Sequence, residues 1–425
     1  MYGLLERTKG MGLGKVKRDI AMLFIARCLD LYTKDKGKFA FLAPFTIYKT
    51  QAGAGFRRFL AKRCKVLKVH DLVTLYPFEG AVNRTSLIII EKDKPTKFPV
   101  GCIMWHNPKT KGIDQDLELS EVKMITKQFD LNLIPIEKSN PMSPWMEITE
   151  KAYEALKKVI GSSPWYKAYE GVNTALNQVY WIEILSETPN GLLITNPSLP
   201  GQKKKVKQVK QVVEKDLVYP LIRGRDVKRW YVVGEYGWII APHDPETGKP
   251  IPENIMKIKY PKSYDYFNNF RNELKNRSLH KLWGKRNPFY SLYDIGDYTF
   301  YPYKVVWKYV AGKISGKAEF STAVIEQVED VLLGIKTVIP NEKLMLVPFS
   351  TKEEAYYVSA ILNSSISQLL VASYVIETAI STHILEKIKI PKFDSSNSLH
   401  LKLSELSKKA HQLTKQIYEE GREDR

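Results

Sequence analysis

The stretch that decides the fold runs from Gly37 to Asp71: GKFAFLAPFTIYKTQAGAGFRRFLAKRCKVLKVHD. Lys38–Pro44 (KFAFLAP) is short, apolar and aromatic, which predicts a buried strand. Gln51–Arg63 predicts a helix, and Lys65–Asp71 alternates enough to predict a second strand. Upstream, residues 17–33 predict a helix, because Ile20, Leu23, Phe24 and Leu31 recur near the 3.6-residue period and Asp19 stands near its start. Downstream, Ser86–Glu91 (SLIIIE) is a continuous apolar run, and Val100–Trp105 predicts a further strand. Helix, strand, helix, strand in that order points to an α/β unit with a mostly parallel sheet. The run of strands at 65–71, 86–91 and 100–105, without helical spacers, predicts an antiparallel edge to that sheet.

Composition shifts after about residue 107, so residues 1–107 form a first domain and 108–163 a helical connector, with helices at 118–128 and 148–160. Gly161-Ser162-Ser163-Pro164 is a natural boundary. Residues 164–395, rich in Tyr, Trp and Val with many turns, read as an α+β domain. Its predicted strands are 179–185, 206–213, 230–233, 238–240, 304–309 and 344–348; its predicted helices are 214–222, 263–276 and 352–370. The last segment, 396–425, carries an amphipathic helix with Leu403, Leu406, Ala410 and Leu413 on one face.

The 425 residues suit two or three domains. Lys and Arg total 65 against 46 Asp and Glu, a net charge of +19, which directs attention to phosphate-rich polymers or anionic surfaces as partners. With 11% aromatic and 44% apolar residues, the chain is not a disordered basic tail. Cys28, Cys64 and Cys102 stand far apart with no CxxC pair, which excludes a zinc ribbon and a disulfide framework. No signal peptide and no membrane span are expected, so the protein is expected to be cytoplasmic.

The positive charge is concentrated. Residues 201–230 hold ten basic side chains (Lys203, Lys204, Lys205, Lys207, Lys210, Lys215, Arg223, Arg225, Lys228 and Arg229) against three acids. Such a run suits a phosphate-tracking surface, and Arg223-Gly224-Arg225 sets two planar guanidinium groups beside a flexible glycine. A second region, 257–309, interleaves basic residues with aromatics; Lys285, Arg286, Lys304 and Lys308 are its expected contacts, while most of the aromatics are expected in the core.

Three motifs imitate chemistry without its context. Gly10-Met11-Gly12-Leu13-Gly14 follows no predicted strand, as a nucleotide loop would. Asp116, Glu121 and Lys123 imitate the carboxylate-and-lysine set of metal nucleases, but Glu121-Val122-Lys123 falls on a predicted surface helix. The seven histidines lack metal-ligand spacing.

Taken together, residues 16–106 resemble the second half of the catalytic domain of N6-adenine DNA methyltransferases, of the large single-chain or fused restriction–modification type. The resemblance rests on Lys17–Phe24 (KRDIAMLF), Gly37–Pro44, Ala52–Phe59 (AGAGFRRF) and above all Pro77–Thr85 (PFEGAVNRT) followed by SLIIIE. Further along, Tyr219–Val227 (YPLIRGRDV), Tyr303–Lys308 (YKVVWK), Ala360–Ser364 (AILNS) and Ile388–Phe393 (IKIPKF) resemble the target-recognition region of these enzymes. The resemblance implies a partial Rossmann-like domain followed by an α+β target-recognition domain and a C-terminal helix. It implies double-stranded DNA as partner, with a target adenine rotated out of the helix. By position in the motif, Phe78 would stack on that base.

The resemblance also implies what is missing. The family holds S-adenosylmethionine on a strand ending in a Gly-containing loop and uses an Asn/Asp-Pro-Pro-aromatic tetrad on the target amine. Both precede the segment that begins here near residue 3, and neither occurs. Asn287-Pro288-Phe289-Tyr290 lacks the second proline and lies on the wrong side of Phe78. The expectation is therefore a chain that carries no catalytic residue, binds no cofactor alone, and methylates only with an N-terminal methyltransferase chain from an adjacent gene. The alternative is a non-catalytic, sequence-specific DNA-binding protein or a remnant of a restriction–modification system.

Overall fold

The computed structural model describes residues 20–78, 84–109, 112–198, 206–232, 234, 236–283, 286–310, 313–314, 317–375 and 379–421. Helix α1 (Ile20–Leu31) buries Met22, Ile25, Ala26 and Leu29, spaced three and four apart. It is followed by strand β1 (Lys38–Pro44), helix α2 (Ala54–Arg63) and strand β2 (Cys64–Asp71). The turn into α2 needs glycine at position 53, where a Cβ would sit 2.1 Å from the carbonyl oxygen of Ile47. Buried Arg57 fastens the same turn, donating to the carbonyls of Ile47, Thr50 and Met142. Burial lowers its pKa to about 9.

Strand β3 (Thr85–Lys92) inserts between β1 and β2, antiparallel to both, so β1 and β2 point the same way without touching. Strand β4 (Val100–His106) then pairs parallel with β2. A short surface helix, α3 (Leu119–Ile125), leads to β5 (Lys127–Pro135) and β6 (Trp145–Ile148), both added antiparallel. The order is β1-β3-β2-β4-β5-β6. The expected mostly parallel sheet is thus corrected: one strand pair of five is parallel, because β3 occupies the slot between the parallel-running β1 and β2. The expected helical connector over 108–163 is corrected as well. Its helices shorten to α3 and α4 (Glu150–Leu156), and the residues between them extend the sheet.

The chain forms two compact units, residues 1–160 with 313–319 and 369–378, and residues 161–312 with 320–368 and 379–425. In the second unit, β7 (Tyr169–Glu170), β8 (Trp181–Thr188), β9 (Gly191–Thr195), β10 (Lys210–Val213), β11 (Val218–Ile222) and β12 (Gly237–Ile240) come first. They are followed by β13 (Tyr303–Lys308), β14 (Thr322–Ile325), β15 (Ile339–Pro340) and β16 (Leu344–Phe349). One sheet has the order β10-β9-β8-β12-β11-β15, another the order β14-β13-β16-β7. The segment 214–222, expected as helix, is a single tight turn followed by β11, in which all five residues (VYPLI) are buried; full burial on both faces erases the alternation that marks a strand. The expected helix 352–370 divides at Asn363 into α5 (Lys352–Leu362) and a helix over Ser365–Tyr374. The side chain of Asn363 is buried and pairs with both the amide and the carbonyl of Thr322, which accounts for the break. The expected helix over 263–276 likewise forms two pieces, Pro261–Asn268 and Arg271–Lys275. The last helix, α6 (Ser398–Glu419), packs against α5.

Candidate nucleic-acid interface

The turn after β2 is built to present aromatic side chains. Asp71, at the strand end, accepts a hydrogen bond from the amide of Val73 at 2.8 Å. The hydroxyl of Thr74 donates to the carbonyl of Trp105 at 2.8 Å and accepts from the amide of Asn107 at 2.9 Å. Leu75 is buried, and its carbonyl accepts from the amide of Ile113. Beyond this anchor the chain turns outward: Tyr76 is 40% and Phe78 46% exposed. Tyr76 takes a positive φ of 46°, a conformation bulky residues avoid. Its carbonyl would lie 2.9 Å from a Cβ at position 112, which explains glycine there. Sequence reasoning missed Tyr76. The available signal was an aromatic on each side of Pro77, since a residue preceding proline is kept out of the helical region.

Under this turn lies a buried polar cluster that the sequence did not reveal. Lys49 and Glu147 are buried and stand 3.6 Å apart. Burial, and then the neighbouring Glu147 carboxylate, push the Asp71 carboxyl well above the usual carboxylate range. Burial and the same carboxylates push the Cys102 thiol up. The four residues come from the turn after β1, β2, β4 and β6, elements far apart in sequence, so no local spacing could announce them.

In the second unit the basic residues are unequal. Arg223 and Arg225 flank Gly224 as expected, but buried Asp226 organises both. Its carboxylate accepts from the Arg223 amide at 2.8 Å and the Arg223 Nε at 3.1 Å, and lies 3.5 Å from the Arg225 Nε. Arg225 remains 72% exposed. Arg229 donates through Nη2 to the carbonyl of Asn363, and the Lys228 ammonium lies 5.8 Å from the ring centre of Tyr418. Lys207 is exposed and reaches Asn269. Arg286 is exposed and Lys308 half-buried. Lys203, Lys204, Lys205 and Lys285 lie outside the described residues, as does Gly10–Gly14.

Lys304 requires correction as a contact residue. It is 1% exposed, its amine donates to the carbonyl of Tyr301 at 2.6 Å, and burial lowers its pKa to about 7. Its place on central strand β13 points the side chain into the protein. The aromatics of 257–309 are mostly core, with Tyr266, Phe267, Phe270, Phe289, Tyr290 and Trp307 all buried. Within Asn287–Tyr290, the Tyr290 hydroxyl donates to the carbonyl of Ile251, and buried Arg277 donates to the Phe289 carbonyl. That segment is framework. Glu121 caps the surface helix α3 through the Glu118 amide. Among the described residues no cluster of His, Cys, Asp and Glu could hold a metal ion, and no helix is long and apolar enough to cross a membrane.

The outer edge of the first sheet is unusual. Among the described residues β1 pairs with no strand on its outer side. Leu42 on β1 is 46% exposed, and on α1 Ile20, Leu23 and Phe24 are 69%, 48% and 54% exposed. An unpaired strand edge beside exposed apolar side chains is a template for another strand.

No protein-family model and no curated protein matches this chain. Solved structures do. Over 89% of its length the chain is similar in fold to the Type IIL restriction-modification enzyme MmeI in complex with DNA, with a TM-score of 0.50 and 8% identity. It also aligns with the ATP-dependent Type ISP restriction-modification enzyme LlaBIII bound to DNA, with 89% of this chain covered, 11% identity and a TM-score of 0.40. A third alignment is with the DrdV-DNA complex, with 91% covered, 10% identity and a TM-score of 0.36. The last two are too distant to argue from. The likeness to MmeI concerns the fold, a mixed α/β chain with several sheets. This chain spans 41%, 26% and 38% of those three chains, less than half of each.

Proposed function

We propose that this chain supplies the base-stacking and target-recognition part of an adenine-N6 DNA methyltransferase of a restriction–modification system. The observation that carries the reading is Phe78, exposed just beyond an anchored turn, where the motif resemblance requires an aromatic to receive a flipped base. Stacking on such a side chain contributes about 1–3 kcal/mol, enough to offset much of the unstacking. Arg225, Lys228, Arg229, Lys207, Arg286 and Lys308 supply phosphate and groove contacts in the second unit.

On this reading S-adenosylmethionine is held by a second chain. At two strand ends of the first unit the backbone donors are already committed, the Phe45 amide to the carbonyl of Arg84 and the Val73 amide to Asp71. The open, apolar outer edge of β1 and α1 supports a second polypeptide segment that completes the sheet and brings the cofactor and the Asn/Asp-Pro-Pro-aromatic motif.

The test is transfer of a labelled methyl group from S-adenosylmethionine to DNA, with this chain alone and with the product of the adjacent upstream gene. Activity is expected only in the pair, falling roughly 10- to 100-fold with Phe78→Ala and less with Phe78→Trp. No methylation in the reconstituted pair would reject the enzyme reading. Sequence-specific DNA binding persisting without methylation would then favour a DNA-binding protein that does no chemistry, a reading that the exposed Arg225 supports equally.

A further inference from the structure

Helix α6 faces the wrong way for an ordinary surface helix. Leu399, Leu403, Leu406, Ala410, Leu413 and Ile417 follow a 4-3-4-3-4 spacing, the a/d seam of a coiled coil carried through the whole helix. Such a stripe is expected to face the core. Instead the helix buries a neighbouring stripe of Ser404, Ser407 and His411. The small serines allow close approach to α5, and the His411 ring stands edge-on to Tyr356 and Trp230 at centroid distances of 4.9 and 5.3 Å. Tyr418 stacks on Tyr231 at 4.7 Å. Leu403 and Ala410 of the seam are half-buried, but its other members are left out: Leu399, Leu406, Leu413 and Ile417 are 62%, 54%, 49% and 45% exposed. One exposed leucine is ordinary, but a registered row of them along a rigid helix is not.

The charges beside the seam say what covers it. One flank is closed, because Ser407 and His411 already face α5. The open flank carries Lys402 and Lys409, one heptad apart, followed by Gln416. Neither lysine is committed to an ion pair among the described residues, whereas the nearby carboxylate of Glu419 lies 3.6 Å from Lys415. A second copy fits this edge poorly. An antiparallel pair crossing at mid-seam sets Lys409 against its own counterpart. A parallel pair sets the lysines opposite Ser407 and Thr414, which carry no charge. We infer that α6 docks a separate amphipathic helix whose apolar seam is flanked by Asp or Glu. This inference does not depend on the function proposed above.

The probe is a fluorescent synthetic helix of three heptads, with Ile and Leu at the seam and Glu at both flanking positions, titrated with the full chain and followed by anisotropy. The same peptide with Lys at the flanks is the control. The glutamate peptide is expected to bind at least about tenfold more tightly than the lysine peptide. Leu406→Asp with Leu413→Asp should abolish binding while leaving circular dichroism and the melting temperature unchanged, since both side chains are exposed. Lys402→Glu with Lys409→Glu, at solvated positions, should reverse the preference between the peptides. The inference is overturned if neither peptide binds, or if both bind equally and the charge reversal changes nothing. It is also overturned if sedimentation shows a dimer of the chain that Leu406→Asp with Leu413→Asp converts to monomer.

Discussion

The carboxyl of Asp71 holds the amide of Val73 and closes the turn from which Tyr76 and Phe78 project. Burial and the neighbouring Glu147 carboxylate raise its pKa, so an uncharged amide in its place removes a charge that this site disfavours. Asp71→Asn is expected to leave the urea midpoint unchanged or raised. Asp71→Ala leaves the half-buried Val73 amide without its acceptor and is expected to destabilise the unit by about 1 kcal/mol, read by urea denaturation. Lys304 gives a second prediction, with the sign fixed by its pKa of about 7 in the fold against 10.5 in the open chain. Between those values the unfolded chain binds more protons, so stability falls as the pH drops from 10.5 to 7 and levels off below. Lys304→Met removes that dependence and should stabilise the protein at pH 7 on the order of 3 kcal/mol. DNA affinity should not change; a weakened complex in a filter-binding assay would mean the amine does reach DNA. Phe78 and Lys304 look alike as sequence, an aromatic and a cation in suitable regions. What separates them is which side of a strand or turn each occupies, and that depends on pairing partners tens of residues away.

Elements were legible wherever one face meets the core. Helices α1 and α2 and the runs of β1 and β3 stand out as elements, but the face read for α1 was the wrong one: Ile20, Leu23, Phe24 and Leu31, which carry the period, are exposed, while Met22, Ile25, Ala26 and Leu29 are buried. Likewise β1, expected as a buried strand, lies at the sheet edge with only Ala43 buried. The strand β11 and the broken pair at Asn363 did not stand out, since full burial hides alternation and a capping side chain bonded to a distant strand leaves no local mark. For α6 the period was plain, but its meaning was inverted by a packing face made of serines and a histidine. That histidine makes the helix attachment acid-sensitive. His411 accepts from the amide of Val324 through Nε2 at 2.9 Å, while its Nδ1 stands 2.8 Å from the carbonyl of Ser407, and burial lowers its pKa to about 4. His243 is held in the same manner by the Leu292 amide and the Gly248 carbonyl, with a pKa also lowered to about 4. Both must stay neutral in the fold. Stability is therefore complete above the ordinary value of 6.5 and is lost as the pH falls toward 4, by on the order of 3 kcal/mol for each histidine. Urea midpoints measured from pH 7 to pH 4 should decline, and His411→Gln should remove part of the decline.

At the scale of the whole molecule, the proposed function together with a net charge of +19 predicts a DNA affinity that depends on salt. If four to six of the exposed basic side chains meet phosphates, log K should fall with log salt at a slope of roughly −4 to −5. Arg225→Ala should reduce that slope by about one, whereas a slope near zero would remove phosphate tracking from the account. The location of the charge was readable from the sequence, but the anchoring of Arg223 and Arg225 on Asp226 and of Arg229 on the Asn363 carbonyl was not. The insertion of β3 between β1 and β2 also bears on how the chain comes to be made. Residues 38–71 leave the ribosome before Thr85–Lys92, so the two strands that run the same way roughly 10 Å apart in the fold are made before the strand that joins them. Until that strand arrives, β1 and β2 have no common neighbour to pair with. Nascent chains arrested before Thr85 should therefore be cut freely by protease across β1 and β2, and protection should appear abruptly once Lys92 has emerged.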